Sequence, residues 1–176
     1  MPEPHEKLPP RRTTWTVGQN VARVAWATVG RLVWLILPAA RRPLLRLFGG
    51  QVGPRARFAA SARIYIPWHV SIGQDVRIGR DVILYSLGQI TIGDGCMLDD
   101  RVHLCAGTHD MSDPAFPLVT LPITLGDHCR LGYDAFLAPG VELGTNCAVL
   151  PRSSVYRSFP ADSQIQGNPA RVLDEP

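Results

Sequence analysis

The stretch LCAGTHDMSDPAF, Leu104 to Phe116, brings Cys105, His109 and Asp110 together within six residues. A histidine changes charge near neutral pH, so an exposed one can take a proton and hand it back during a reaction. The plain alternative is a solvated loop histidine. Cys105 is the rival group, as a nucleophile. Asp110 follows His109 directly, and adjacent side chains on extended backbone point opposite ways. It therefore reads as a loop-capping residue before it reads as the group that orients the ring. The four cysteines, Cys96, Cys105, Cys129 and Cys147, show neither CxxC nor metal-ligand spacing.

The elements that position His109 follow from a six-residue repeat. An aliphatic residue followed by glycine or another small residue recurs in SIGQDVRIGRDV and VELGTNCAVL. The frame runs Val52, Phe58, Ile64; Ile72, Ile78, Leu84; Ile92, Leu98, Leu104; Leu125, Leu131, Leu137; Leu143, Val149, Val155, with two-residue steps at Val70, Ile90 and Ile123. All fifteen positions are apolar in a chain that is 45% hydrophobic. Chance gives that on the order of a few times in a million, before allowing for the choice of frame. Period six suits neither a helix nor a meander. It suits a β-helix in which three short strands make a triangular coil of about 18 residues, stacked about 4.8 Å apart. About five such coils are expected. Small residues after the aliphatic positions belong near the corners, where a side chain would crowd the turn. The fifth positions Ala56, Val76, Cys96, Cys129 and Cys147 form one inward column of small residues, so three cysteines are core filler. Trp68 and Phe159 fall where they could plug the two ends.

In this frame His109 takes an outward sixth position, and residues 110–122, with three prolines, leave the coil as a loop. An insertion at a corner leaves the stacked strands in register and gives the histidine a wall. Glu142 holds the same phase one coil along and could reach the ring. His69 shares that phase two coils away, roughly 10 Å by the strand spacing. His103 lies on a different face, and only His128 could come from another subunit. Metal–nitrogen bonds are about 2 Å, so no metal is expected.

Charge is uneven. Residues 1–48 carry eight Lys/Arg against two acids, and residues 49–176 carry ten against thirteen. Only the N-terminal segment is basic, and nothing suggests nucleic-acid binding. VARVAWATVGRLVWLILP, Val21 to Pro38, reads as a helix ended by proline, and ARRPLLRLFGG as a second short one closed by glycines. The first is too short and too interrupted to span a bilayer. It could lie in a membrane interface or cover the open end of the first coil. The division expected is a basic tail and helical segment over 1–48, the β-helix over 49–160, and a tail over 161–176. No secretory signal is visible, which points to the cytoplasm, with contact at the inner face of the membrane left open.

The hexads, the broken coil with GTHD and the terminal QGNPARVL resemble the hexapeptide-repeat acyltransferases, most of all the branch of colanic-acid and exopolysaccharide acetyltransferases. The likeness covers about residues 20–173. It implies a left-handed parallel β-helix, a homotrimer, and transfer of acetyl from acetyl-CoA to a hydroxyl of a sugar or polysaccharide precursor. His109 would be the general base for direct attack on the thioester, without an acyl-enzyme. Near LYSLGQ the family carries an asparagine where this chain places Ser86 beside Tyr85; with Asp110 and Glu142 these are the implied acceptor contacts. The implied cofactor groove takes in Gly132, Tyr133, Ala138 and Pro151, then Arg157, Pro169 and Arg171 towards the nucleotide end, arginine being suited to phosphates. Rival readings are another acyl donor or an amino-sugar acceptor on the same fold, and a non-catalytic scaffold. A sugar nucleotidyltransferase is disfavoured because no glycine-rich nucleotide-binding domain precedes the coils.

Overall fold

The structure, a computed structural model, describes residues 15–173; the first part of the basic tail, residues 1–14, lies outside them. It is a parallel β-helix with three faces. Face A stacks the strands Gln51–Val52, Val70–Ile72, Ile90–Ile92, Ile123–Leu125 and Glu142–Leu143. Face B runs from Arg57–Phe58 through Arg77–Ile78, Met97–Leu98, Arg130–Leu131 and Ala148–Val149 to Gln164–Gly167. Face C stacks Arg63–Ile64, Ile83–Tyr85, His103–Cys105, Phe136–Leu137 and Ser154–Val155. Phe159 pairs with Leu143 on face A, and Gln164–Gly167 lies beside Ala148–Val149 on face B. Five complete coils are therefore followed by part of a sixth, and Ala170–Val172 folds back against it antiparallel.

The hexad frame is the core. Each of its fifteen positions is buried, as are the fifth-position residues Ala56, Val76, Cys96, Cys129 and Cys147. Cross-coil registers repeat the frame, for example Val52↔Ile72↔Ile92↔Leu125↔Leu143. The small residue after each aliphatic position is needed for close approach. A Cβ on Gly93 would stand 2.5 Å from Asp127 Oδ1 and 2.7 Å from its amide nitrogen. Left-handed backbone is handled elsewhere in the turn, by residues such as Asp75, His128 and Asn146, types that tolerate positive φ through short polar side chains.

Two ends remain to be closed. At the N-terminal end, α1 (Val17–Ala25) begins at a capping box formed by Thr16 and Gln19. It continues through a π-helical turn, Trp26–Gly30, into α2 (Arg31–Ile36). The helix stops just before Pro38, as the sequence predicts, and α3 (Arg41–Leu47) follows. Trp26, Trp34 and Leu45 join the core, with Trp34 edge-on to Phe58 at 5.2 Å. Trp68 is not the plug at this end. It sits half-buried at a corner, T-shaped against Trp15, because α1–α3 already fill the space below the first coil. Phe159 is buried at the other end, as expected.

Parallel strands leave one row of carbonyls unpaired on the first coil, and buried carbonyls need donors. Arg41 Nη1 donates to Phe58 O at 2.7 Å, Trp26 Nε1 to Ile64 O at 2.6 Å, and Arg31 Nη1 to Ala62 O at 2.8 Å. Arg46 Nε donates to Val52 O at 3.0 Å. Much of the N-terminal basic character is thus a set of donors for an open sheet edge.

Candidate active site

The break in the hexad repeat is a β-hairpin arm. Gly107–His109 pairs antiparallel with Leu118–Thr120, placing His109 opposite Leu118. The arm leaves at the corner between faces C and A, after His103–Cys105 and before Ile123–Leu125. Gly107 permits the exit: a Cβ there would meet Leu87 Cβ at 2.9 Å.

The tip of the arm turns back on the histidine. His109 Nδ1 lies 2.8 Å from the carbonyl oxygen of Phe116, and the two rings stack at 4.6 Å with 8° between planes. A carbonyl only accepts, so Nδ1 carries the hydrogen and the neutral ring keeps its lone pair on Nε2. Asp110 caps the loop: its Oδ1 accepts from Ser112 N at 2.9 Å and Ser112 Oγ at 2.6 Å. Those bonds hold its carboxyl below the usual carboxylate range. Glu142 does not orient the ring. It is exposed on face A opposite Thr124, and no ion pair joins it to His109 among the described residues.

Ser86 requires a correction as an acceptor contact. It is fully buried, its Oγ donating to Ile66 O at 2.9 Å and accepting from Ile66 N at 2.8 Å. The hydroxyl is spent on the wide corner between faces C and A and has no surface to offer a substrate. Tyr85 is half-buried on face C, and burial pushes its phenol up. It belongs to a ladder of rings: Tyr65 at 4.7 Å, His103 at 6.3 Å, then Phe136 and Tyr156. Cys105, on the same face, donates to Gly107 O and has its thiol raised by burial, unlike an activated nucleophile.

Five of the seven residues implied for the cofactor fall at two corners. Gly132, Tyr133 and Pro151 lie between faces B and C; Ala138 and Arg157 lie between C and A. Gly132 is bare because a Cβ would meet Pro151 N at 2.8 Å. Tyr133 accepts from Arg101 Nη1 through its hydroxyl, at 2.8 Å. Ala138 is buried. Arg157 is exposed, its guanidinium over Phe159 at 5.1 Å. Pro169 and Arg171 sit in the terminal hairpin on face B, Arg171 opposite Gln166. Among the described residues, no three His, Cys, Asp or Glu side chains are grouped to hold a metal ion. Sequence reasoning missed Phe116; its signal would have been an aromatic seven residues after the histidine, inside a segment short enough to fold back.

This fold and site define a class, and comparison with known proteins agrees. A model for the hexapeptide repeat of succinyl-transferase matches residues 69–108 and 122–149, and the gap between them holds most of the arm. The chain is 42% identical over 132 residues to the "Putative colanic acid biosynthesis acetyltransferase WcaF" of Escherichia coli strain K12, covering 75% of this chain and 72% of that one. In structure it resembles a maltose O-acetyltransferase from Clostridium difficile 630, with TM-score 0.82, 23% identity, and coverage of 91% of this chain and 89% of that one. It also resembles the hexapeptide-repeat acetyltransferase VCA0836 of Vibrio cholerae, solved with acetyl-CoA, with TM-score 0.83, 21% identity, and coverage of 93% and 92%. The chain belongs to the hexapeptide-repeat acetyltransferases, on the branch of the colanic acid protein.

Proposed function

We propose that the protein moves an acetyl group from acetyl-CoA to a hydroxyl of a sugar or polysaccharide precursor, with His109 as general base. One observation carries the reading: the Phe116 carbonyl takes the Nδ1 hydrogen, leaving Nε2 free to accept a proton. A hydroxyl is a poor nucleophile near neutral pH. Nε2 removes its proton as the oxygen bonds to the acetyl carbon, and the imidazolium returns that proton to the departing sulfur. The Phe116 carbonyl stays bonded to Nδ1 as the ring gains and loses its second proton, which keeps Nε2 aimed through the step.

The two-corner distribution supports a site shared between copies. Gly132, Tyr133 and Pro151 stand across the width of face C from Ala138, Arg157 and the arm, so one chain does not gather them into a pocket. In a homotrimer, the corner of one copy that carries His109 faces the other kind of corner on its neighbour, and the groove between them takes acetyl-CoA. The fit at the nucleotide end rests on exposed guanidiniums. Arg157 has no acid partner among the described residues, and Arg171 donates to the neighbouring Ala170 carbonyl. Tyr85 lies on the face between the corners and, with Asp110 and Glu142, is a candidate for acceptor contact.

Calorimetric titration with acetyl-CoA tests the reading without knowledge of the acceptor. Saturable binding near one site per chain, weakened at least tenfold by Arg157→Ala or Arg171→Ala, is expected. Folded protein that binds none at millimolar ligand would overturn it in favour of a scaffold.

A further inference from the structure

The cap that closes the first coil has an outer face that nothing covers among the described residues. Trp26, Gly30 and Trp34 are buried against the coil. On the opposite side Val17 (82% exposed), Val21, Val24, Val29, Leu32 and Ile36 form a continuous aliphatic row. The π-helical turn inserts one residue and keeps the row in line across α1 and α2. An apolar row of this length on a surface marks a contact.

Charge says what kind of contact. From residue 15 to residue 74 there are eight arginines and no aspartate or glutamate; the first acid is Asp75. From Asp75 onward, thirteen acids face seven arginines. The solenoid is thus a rod with a cationic end, and the apolar row lies on that end. Arg31 has its guanidinium pulled down by burial and by the nearby charges of Arg63 and Arg41, which fits a cluster with no acid to offset it. A second copy meeting this end head-on would bring like charge to like charge. Residues 1–14 carry three basic and two acidic groups and offer no net negative complement. No helix among the described residues is long and apolar enough to cross a membrane. An aliphatic row at the cationic end, on a helix not both long and apolar enough to cross a membrane, has the make-up of an in-plane interfacial element.

We propose that the cap formed by α1, the π-helical turn and α2 docks on an anionic bilayer, with Val21, Val24, Leu32 and Ile36 entering the interface and the coil stack standing away from it. His109 then lies two coil spacings plus a helix layer above the surface, about 20 Å. At that height it faces saccharide carried on a lipid. This last step rests on the acetyl transfer proposed above; the docking does not.

The test is flotation of the full-length protein with vesicles of phosphatidylcholine alone or with about 30% phosphatidylglycerol, at low and high salt. Flotation with the anionic vesicles, lost at high salt and weakened at least tenfold in Val21→Glu/Leu32→Glu, is the expected result. Both side chains are more than half exposed, so the double variant should melt at the wild-type temperature and bind acetyl-CoA as before. Three outcomes overturn the proposal: no flotation of folded wild type, equal flotation of the double variant, or a change in sedimentation mass of the double variant without vesicles, which would assign the row to a second copy. Wild type that binds acetyl-CoA but does not float would fail the docking alone, and wild type that floats but binds no acetyl-CoA would fail the catalytic reading alone.

Discussion

His109 and Phe116 are held together twice, by an Nδ1-to-carbonyl distance of 2.8 Å and by ring stacking at 4.6 Å. The first contact selects the tautomer and the second fixes the ring plane, and both come from the tip of one hairpin. The histidine is therefore aimed by its own arm, without a carboxylate. His109→Ala should lower acetyl transfer by about two to four orders of magnitude while acetyl-CoA binding is kept. Near-wild-type turnover would remove it from the mechanism.

Phe116 is a positioning residue on this account. Phe116→Ala keeps the backbone carbonyl but loses the stacked ring, and kcat should fall about tenfold to a hundredfold, the usual cost of a misplaced reacting group. Phe116→Tyr should restore it, and KM for acetyl-CoA should not move. A rise in KM with kcat unchanged would assign the ring to binding instead.

The hexads were legible because burial on a β-helix repeats with the chain: every aliphatic frame position and the cysteine column point inward. His109 falls outside that repeat: the chain leaves the coil at Gly107, and the histidine stands half-buried in the arm, not at an outward position of the third coil. The pairing with Phe116 was not legible, since it arises from antiparallel strands in an arm that carries no repeat. Ser86 shows a second limit. At the wide corner between faces C and A the third position of the hexad turns inward, as for Ile66, Ser86 and Ala106, so a residue that the frame leaves outside is enclosed. The end cap was half legible. The helices and their stops were in the sequence, but the use of Arg31, Arg41 and Arg46 as donors to coil carbonyls depends on the open edge they meet.

Arg41 gives the cap a measurable weight. It is 9% exposed, with Nε on Trp34 O at 2.9 Å and Nη1 on Phe58 O at 2.7 Å. Arg41→Met keeps most of the stem packing and strands both carbonyls. The expected loss is about 1–3 kcal/mol for buried groups left without partners, seen as a melting temperature several degrees lower. Arg41→Lys, which cannot fork between the two, should recover only part. An unchanged melting point in Arg41→Met would mean that water replaces the guanidinium.

Two glycines should respond in opposite directions. Gly93→Ala sets a methyl 2.7 Å from Asp127 N in the next coil; both atoms belong to stacked turns that cannot part locally, and overpacking costs about 1–3 kcal/mol. Gly18 in α1 has nothing within 4 Å of such a methyl, and Gly18→Ala should gain up to about 1 kcal/mol from helix propensity. Paired urea titrations check both signs. Equal stability of Gly93→Ala and wild type would show that the coils can separate at that corner.

The ring ladder on face C makes stability depend on pH. His103 stands between Tyr85 at 6.3 Å and Phe136 at 5.5 Å, its Nε2 buried without a partner. Burial holds its pKa below the ordinary histidine value. In the unfolded chain the ring takes a proton below about pH 6.5, while in the folded chain it resists. The unfolded state then binds more protons, so stability falls as pH drops from about 6.5 towards the folded value. His103→Phe keeps an aromatic in the ladder and removes the titration. Its melting temperature should fall less than that of wild type between pH 7 and pH 5, the other histidines contributing equally to both proteins. Parallel curves would show that the His103 ring escapes to water when it is protonated, and that the ladder does not hold it.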